Sequence, residues 1–455
     1  MTVKPATERA EQARAARKTV PRSAHAAWAA SSDRVDPVGI LTDQDASRLQ
    51  WLVPVRHARM AESAFAFYRG GAAIMAADLA RTPSMGVDVQ LCGDAHLANF
   101  GSFASAERRQ VFDVNDFDET LPGPWEWDVK RLAASMVVAA RDNGFDGSAA
   151  RDAARATMRA YQGAMGRFAK TPALQVWYAQ LSLERLREGI PRKSDRKAFD
   201  KAAAKARGKN SQRALGKLTE TVDGERRIRS QPPLLIPLRQ LAEHVDRDKL
   251  RGAVQANFTD YVESLPMDRR HVLGRFSIVD LALKVVGVGS VGTRCWVVLL
   301  RGRDHGEPLF LQIKEASASV LEAHLPPSQF EHPGQRVVNG RRLMQASRDL
   351  CLGWSGTMDG SHFYWRQFHD MKGSADVAAM DADRLLHYGE VCGWTLAHAH
   401  ARSGDALAIA AYLGSGNAFS RALTEFAVAY ADQNQADYEA FKQAIADGRI
   451  EAHEA

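Results

Sequence analysis

The densest group of polar side chains lies between Cys92 and Thr120, in the run CGDAHLANFGSFASAERRQVFDVNDFDET. Within it Asp94 is followed five residues later by Asn99, and a short apolar run closes on Asp116, inside Asn115-Asp116-Phe117-Asp118. These residue types at this spacing suit metal-assisted phosphoryl transfer, in which one carboxylate orients a hydroxyl while an amide oxygen and a second carboxylate hold Mg²⁺ against phosphates. Asp94 is then the catalytic carboxylate, and Asn99 and Asp116 are the metal ligands. His96, two residues after Asp94, joins the catalytic group as a side chain that orients the loop rather than binding metal. The competing reading is structural, because short loops rich in Asp and Asn commonly serve as turns and helix caps.

A second cluster follows almost two hundred residues later. Gly287-Val288-Gly289-Ser290-Val291-Gly292 precedes the apolar run TRCWVVLL and then LFLQIKEA, which contains Lys314. A strand, a glycine-rich turn and a second strand predict a hairpin whose backbone N–H groups can approach phosphates, with Gly287, Gly289, Ser290 and Gly292 as the cradle. A dinucleotide-binding fingerprint would continue into a helix, and here a strand follows. Glycine hairpins are common without a ligand. Joined to the lysine-bearing strand and the Asp/Asn loop, this one points to an ATP site. Lys314 lies in an apolar strand and needs an anionic partner, since burying an unpaired ammonium is costly. Glu322 and Glu331 are the candidates.

The elements that must position these groups are readable from periodicity. Phe65, Tyr68, Ala72, Met75 and Leu79 predict a helix over 62–80, and Val87–Leu91 and Gln110–Val114 read as strands. A second helix starts at Asp128, placed to cap it, with Val129, Leu132, Ala133, Met136, Val137 and Ala140 on its apolar face. Trp125 and Trp127 before it read as core or lid packing. Strands are expected at Ala282–Val286, Cys295–Leu300, Leu309–Ile313 and Phe363–Phe368, and helices near 334–348, 384–402 and 419–446. His398 and His400, two apart on a helix, face different ways and cannot clamp one ion. The order helix-rich, strand-rich, helix-rich suits an α+β protein of two lobes.

The 455 residues carry a net charge of +6, but its distribution is uneven. Residues 192–230 hold thirteen Lys and Arg against five Asp and Glu, a net of +8, so the rest of the chain is about −2. Overall charge is therefore a poor guide to partners, and the basic stretch reads as a solvated connector without the interleaved aromatics that single-stranded nucleic-acid binding uses. Residues 1 to about 35, Ala-rich and charged, read as a loosely held tail. The four cysteines, 92, 295, 351 and 392, include no CxxC pair, which points away from a disulfide framework or zinc cluster. With no secretory leader and no apolar run near 18 residues, a cytoplasmic protein without membrane insertion is expected.

GDAHLANFG and VFDVNDFDETLPGPWEWDVKRLAAS resemble a large bacterial family known as domain of unknown function 2252, and the likeness continues through LQIKEA, GQRVVNGRRLMQ, YWRQFHDMK and AHAHARSGD. More remotely, the first segment is similar to the catalytic loop of aminoglycoside phosphotransferases and other protein-kinase-like enzymes. That resemblance implies Asp94 as catalytic base, Asn99 and Asp116 as metal ligands, and Asp128 as the carboxylate bracing the loop. It also implies Gly287, Gly289, Gly292 and Lys314 as the nucleotide cradle, and 363–368 as the strand leading to an adenine-binding hinge. In kinase-like enzymes the glycine loop precedes the catalytic loop, whereas here the order is reversed. The expectation is a circularly permuted two-lobed kinase-like fold: an N-terminal tail (1–40), a large-lobe half (41–190), a basic connector (191–232), a small nucleotide-binding lobe (233–372) and a helical segment completing the large lobe (373–455).

The expected activity is an ATP- and Mg²⁺-dependent phosphotransferase acting on a hydroxyl of a small-molecule or protein acceptor. Alternatives are AMP transfer on the same fold, a metal-dependent phosphoesterase suggested by Gly93-Asp94-x-His96, and a nucleotide sensor without turnover. Nucleic acid ranks last among partners.

Overall fold

The computed structural model describes residues 4–241, 247–285, 287–303, 306–358, 361–368 and 370–453. The chain is a mixed α+β protein in which a helical body packs against an antiparallel sheet. After the first helices come four short strands outside the main sheet: β1 (Asp88–Leu91), β2 (Phe100–Ala104), β3 (Gln110–Val114) and β4 (Leu121–Pro124). β1 pairs with β4 and β2 with β3, so the two acidic loops, 92–99 and 115–120, are held side by side.

The helical body is centred on Trp125–Asp142, which is buried along nearly its whole length. Gly147–Phe168, Ala382–Ser403 and Ala418–Ala446 surround it, and their apolar stripes, including Met158, Tyr161, Leu396 and Phe426, make one continuous core. Trp125 is fully buried there, stacked on Tyr161.

β5 (Thr219–Val222) and β6 (Glu225–Ile228) form a tight hairpin. Asp223 and Gly224 sit at its tip with φ of +50° and +79°, as a two-residue turn of this hand requires. The main sheet comprises β7 (Leu235–Pro237), β8 (Phe276–Lys284), β9 (Cys295–Gly302), β10 (Pro308–Ala316), β11 (Gly353–Met358) and β12 (Ser361–Gln367), in the order β11-β12-β10-β9-β8-β7. Alternation sends Leu281, Val298 and Leu300 to one face, beneath Phe258 and Tyr261 of helix Arg247–Glu263. Ala282, Val297 and Leu299 face the other way, onto Ala214, Leu218 and Ile228. A last short strand, β13 (Gly373–Ser374), adds to β2.

Several local expectations change. The helix expected over 62–80 is two helices, Ala64–Gly70 and Ala72–Leu79, broken at Gly71. The helix expected from Asp128 begins at Trp125 behind Pro124, so Asp128 is not its cap. Val286, at the end of an expected strand, lies outside the described residues. The segment read as a loose tail is docked: from Pro5 on it forms helical turns, buries His25 against Tyr412 (2.7 Å), and sends Arg34 to Asp78 (2.8 Å) and Asp437 (2.6 Å). Its first helix turns a narrow alanine face inward, Ala10, Ala13 and Ala16, and the polar anchors His25 and Arg34 are single side chains, so periodicity gives no strong signal. The basic stretch carries helices Lys193–Arg207 and Ser211–Leu218, and the second half of it packs on the main sheet. Among the described residues no helix is long and apolar enough to cross a membrane.

Candidate functional site

The first acidic loop turns immediately after β1. Gly93 has φ +83°, and a Cβ there would lie 2.2 Å from the Glu119 carbonyl oxygen, so only glycine fits. Asp128, one turn into the Trp125–Asp142 helix and buried, points back at this turn and accepts hydrogen bonds from Cys92 N (2.8 Å) and Gly93 N (3.1 Å). Its Oδ2 also lies 3.2 Å from His400 Nε2, whose ring is held on the other side by the Tyr161 hydroxyl at 2.9 Å. His398 instead reaches the Val176 carbonyl, so the two histidines do face different ways.

Asp94 leaves this turn toward open space and is gripped from behind. Arg131 places Nε at 2.8 Å and Nη2 at 2.7 Å from Oδ1, while His96 Nε2 lies 3.4 Å from Oδ2. The guanidinium is buried over the Tyr68 ring, 4.1 Å from its centroid, and also donates to the Tyr68 carbonyl at 2.8 Å. Burial by itself would raise the Asp94 carboxyl, but Arg131 and then His96 outweigh it and hold the group well below the usual carboxylate range. Asp94 is therefore an anion with one oxygen fixed.

Asn99 staples the two loops together. Its Nδ2 donates to the carbonyls of Asp94 (3.0 Å) and Asp116 (3.1 Å), and its Oδ1 accepts from Asp116 N at 2.7 Å. Asp116 is thereby set at the end of β3, facing β10. There Lys314 Nζ lies 3.2 Å from both Asp116 oxygens and also contacts Asp118. The Tyr364 hydroxyl on β12 donates to the other Asp118 oxygen at 2.6 Å. Burial alone would lower the Lys314 ammonium and raise the Asp116 carboxyl; their mutual attraction reverses both, aided by Asp118 for the ammonium and by Arg366 and Lys372 for the carboxyl. The partner of Lys314 is thus neither Glu322 nor Glu331. Glu322 accepts from Ser319 N and Ser328 N at a short helical turn, and Glu331 is exposed. Both follow Lys314 in sequence, but β10 runs its side chain toward the 115–120 loop, and that decides the pairing.

The glycine turn joins β8 to β9 as expected of a hairpin, through a short turn at Val288–Ser290. Its valines tie it to the helical body: Val288 packs with Met60 and Phe67, and Val291 with Leu52 and Val55. Leu49 N donates to the Gly292 carbonyl at 2.8 Å and Arg48 Nη1 to the Val291 carbonyl at 2.5 Å. Gly292 has φ +91° and packs on the Arg48 side chain, so its glycine is conformational. Ser290 Oγ lies 3.4 Å from Asp118 Oδ2.

Asp94, His96, Asn99, Asp116, Asp118 and Lys314 line one cavity of about 430 Å³, together with Gly287, Gly289 and Ser290. Asp128 and Gly292 do not line it; they brace the two turns from behind. The cavity has further cations that the sequence reading did not single out: Arg48, Arg69, Arg366 and Lys372. The Arg366 guanidinium beside it, followed by burial, pushes the Lys372 ammonium down to about 7, and burial lowers Arg48 to about 10. Arg69 Nε is buried without a hydrogen-bond partner. Arg48 and Arg69 lie in no motif, whereas Arg366 and Lys372 both fall in YWRQFHDMK.

Chemically, five cations face four carboxylates, Asp94, Asp116, Asp118 and Glu119, in this chamber, an arrangement able to hold a polyanion together with a divalent cation. Among the described residues no three His, Cys, Asp or Glu side chains converge to hold a metal by themselves. The donors present, the Asp116 carboxylate, both of whose oxygens Lys314 contacts, and the remaining lone pair of Asn99 Oδ1, are of the oxygen type that Mg²⁺ takes, an ion typically bound through one or two carboxylates plus substrate phosphates.

No curated protein and no solved structure matches the chain. The model of one family does, over residues 48–444, a span running from Arg48 at the glycine turn through every cavity-lining residue named above. The chain therefore belongs to the bacterial family described as uncharacterized protein conserved in bacteria, DUF2252.

Proposed function

We propose that the protein is an ATP- and Mg²⁺-dependent phosphotransferase whose site is kinase-like in content and permuted in order. The observation that carries this reading is that Asp94, Asn99, Asp116, the glycine turn and Lys314 converge on one cavity. In this reading Lys314, Lys372 and Arg366 receive the phosphates beside the glycine turn, whose Ser290 reaches Asp118. Asp116 and Asn99 would hold Mg²⁺, which when bound neutralises charge on the transferring phosphoryl group. Asp94, fixed through Oδ1 by Arg131, presents Oδ2 to orient the acceptor hydroxyl and take its proton. Arg131 keeps it ionised. Positioning and electrostatics supply most of the rate gain in such chemistry. The phosphoesterase alternative leaves the glycine turn and Lys314 without a role, and Arg131 already holds Asp94 Oδ1.

Thermal unfolding with and without Mg²⁺-ATP tests the proposal. A nucleotide at about 100 times its dissociation constant adds about 2.7 kcal/mol. No shift with any nucleotide overturns it. A shift followed by incubation with ATP labelled at the γ- or α-phosphate then separates phosphate transfer from AMP transfer, and transfer of neither label to any acceptor leaves a nucleotide sensor.

A further inference from the structure

The polar cavity shares a wall with a larger one. β13 pairs with β2 at Ser102 and Gly101, and on the far side of that short ladder lies a cavity of about 720 Å³. Its lining is mainly apolar, with Phe112, Leu186, Ile190, Phe199, Met380 and Tyr388 prominent. The wall is a single backbone thick. A Cβ on Gly101 would lie 2.3 Å from Asn115 Nδ2, a residue of the polar cavity, and 2.5 Å from the Gly373 carbonyl oxygen. Ser374 lines both cavities.

The apolar cavity is also coupled to the catalytic loop. The Tyr388 hydroxyl donates to the carbonyls of Leu97 (2.9 Å) and Phe100 (3.3 Å), at the end of the loop that carries Asp94. Four charged side chains at its rim satisfy one another: Arg384 pairs with Asp195 at 2.7 Å and Arg192 pairs with Asp383. The volume suits a drug-sized molecule, and the lining suits one that is largely apolar and uncharged.

We propose that this cavity is the acceptor site and that it takes an apolar alcohol, whose hydroxyl passes the Ser374 edge into the polar cavity and meets Asp94. The proposal rests on the phosphotransferase reading. The acceptor oxygen bonds to the γ-phosphorus as the bond to the β,γ-bridging oxygen breaks. ADP leaves with that electron pair, and the hydroxyl proton passes to the Asp94 carboxylate.

The full-length protein is titrated with the apolar fluorophore N-phenyl-1-naphthylamine, with 1-dodecanol as competitor. The same titration is made on Ala198→Trp and Ala202→Trp, exposed lining positions on helix Lys193–Arg207 where an indole plugs the cavity without entering the core, with circular dichroism to check folding. The expected result is saturable fluorophore binding that dodecanol displaces and that each variant weakens at least tenfold. With γ-labelled Mg²⁺-ATP, label moves into organic-extractable dodecyl phosphate. In Ser374→Trp the fluorophore still binds but label transfer falls at least tenfold. Fluorophore binding indifferent to both tryptophans overturns the proposal. So does a preparation that binds Mg²⁺-ATP and dodecanol yet labels no alcohol. Absence of any nucleotide shift in wild type counts instead against the phosphotransferase reading, and the displacement arm still decides whether the cavity takes an apolar alcohol.

Discussion

Lys314 Nζ lies 3.2 Å from both carboxylate oxygens of Asp116, although 198 positions separate the two residues in the chain. With Asp118 completing the group, this contact is where the main sheet is locked to the acidic loops of the helical body. It also places one buried ammonium in the lining of the polar cavity, so structure and proposed chemistry meet on the same pair.

Replacing Lys314 by Ala removes the cation that Asp116 and Asp118 share, leaving Asp116 only the weaker attraction of Arg366 and Lys372. Losing one partner of a fully buried pair costs about 3–5 kcal/mol; both carboxylates here reach solvent, so about 1–3 kcal/mol is expected, read by urea denaturation. The nucleotide-induced thermal shift disappears in the same variant. Removing a carboxylate as well, in Lys314→Ala/Asp118→Ala, restores part of the stability but none of the shift.

Arg131→Gln tests how Asp94 is kept ionised. The Asp94 carboxyl lies below its unfolded value near 4, so its pairing with Arg131 stabilises the fold above about pH 4 and that contribution is lost as pH falls further. In the variant the carboxyl returns toward or above the ordinary range. Acid unfolding moves to higher pH, and the acid limb of any kcat/KM profile moves up by at least one pH unit while wild type stays flat there.

Lys372 gives a pH signature near neutrality. Its folded value of about 7 lies below the unfolded lysine value near 10.4, so the unfolded chain holds a proton that the fold has lost, and its contribution to stability rises with pH between about 7 and 10. A polyanion in the cavity favours the charged form. Nucleotide affinity therefore falls as pH rises through about 7 to 8, and binding takes up protons. Calorimetry in two buffers of different ionisation enthalpy reads that uptake, and Lys372→Arg, charged at all these values, abolishes it.

Gly93→Ala combines a left-handed backbone with a Cβ that would lie 2.2 Å from the Glu119 carbonyl oxygen. Strain of that kind costs about 1–3 kcal/mol before the clash is counted. Chemical denaturation should show a loss of at least that size. Because Asp128 fixes the same turn, Asp128→Ala should loosen it without the clash, seen as faster hydrogen exchange at Cys92 and Gly93.

The sequence by itself determined what is local. Asp94 and Asn99, five residues apart, and Asp116 at the end of β3 are close in the chain, so their grouping survives any packing arrangement. The hairpin through Gly287–Gly292 follows from the run of strand, glycine turn and strand, the apolar face that includes Met136 follows from periodicity, and Lys314 stands out as a charge in an apolar strand that must find an anion. Tertiary structure decided the rest. Which anion Lys314 finds depends on how β10 meets a loop 198 residues away, and a search near Lys314 in sequence returns the wrong glutamates. Asp128 reads as a helix cap locally, yet the helix starts three residues earlier and its carboxylate serves another segment. Arg131 and Lys372 fall inside segments that carry the family likeness, yet no spacing assigns them a role; that comes from burial beside Asp94 and Arg366 respectively, and electrostatic energy depends on spatial contact, which chain order does not encode.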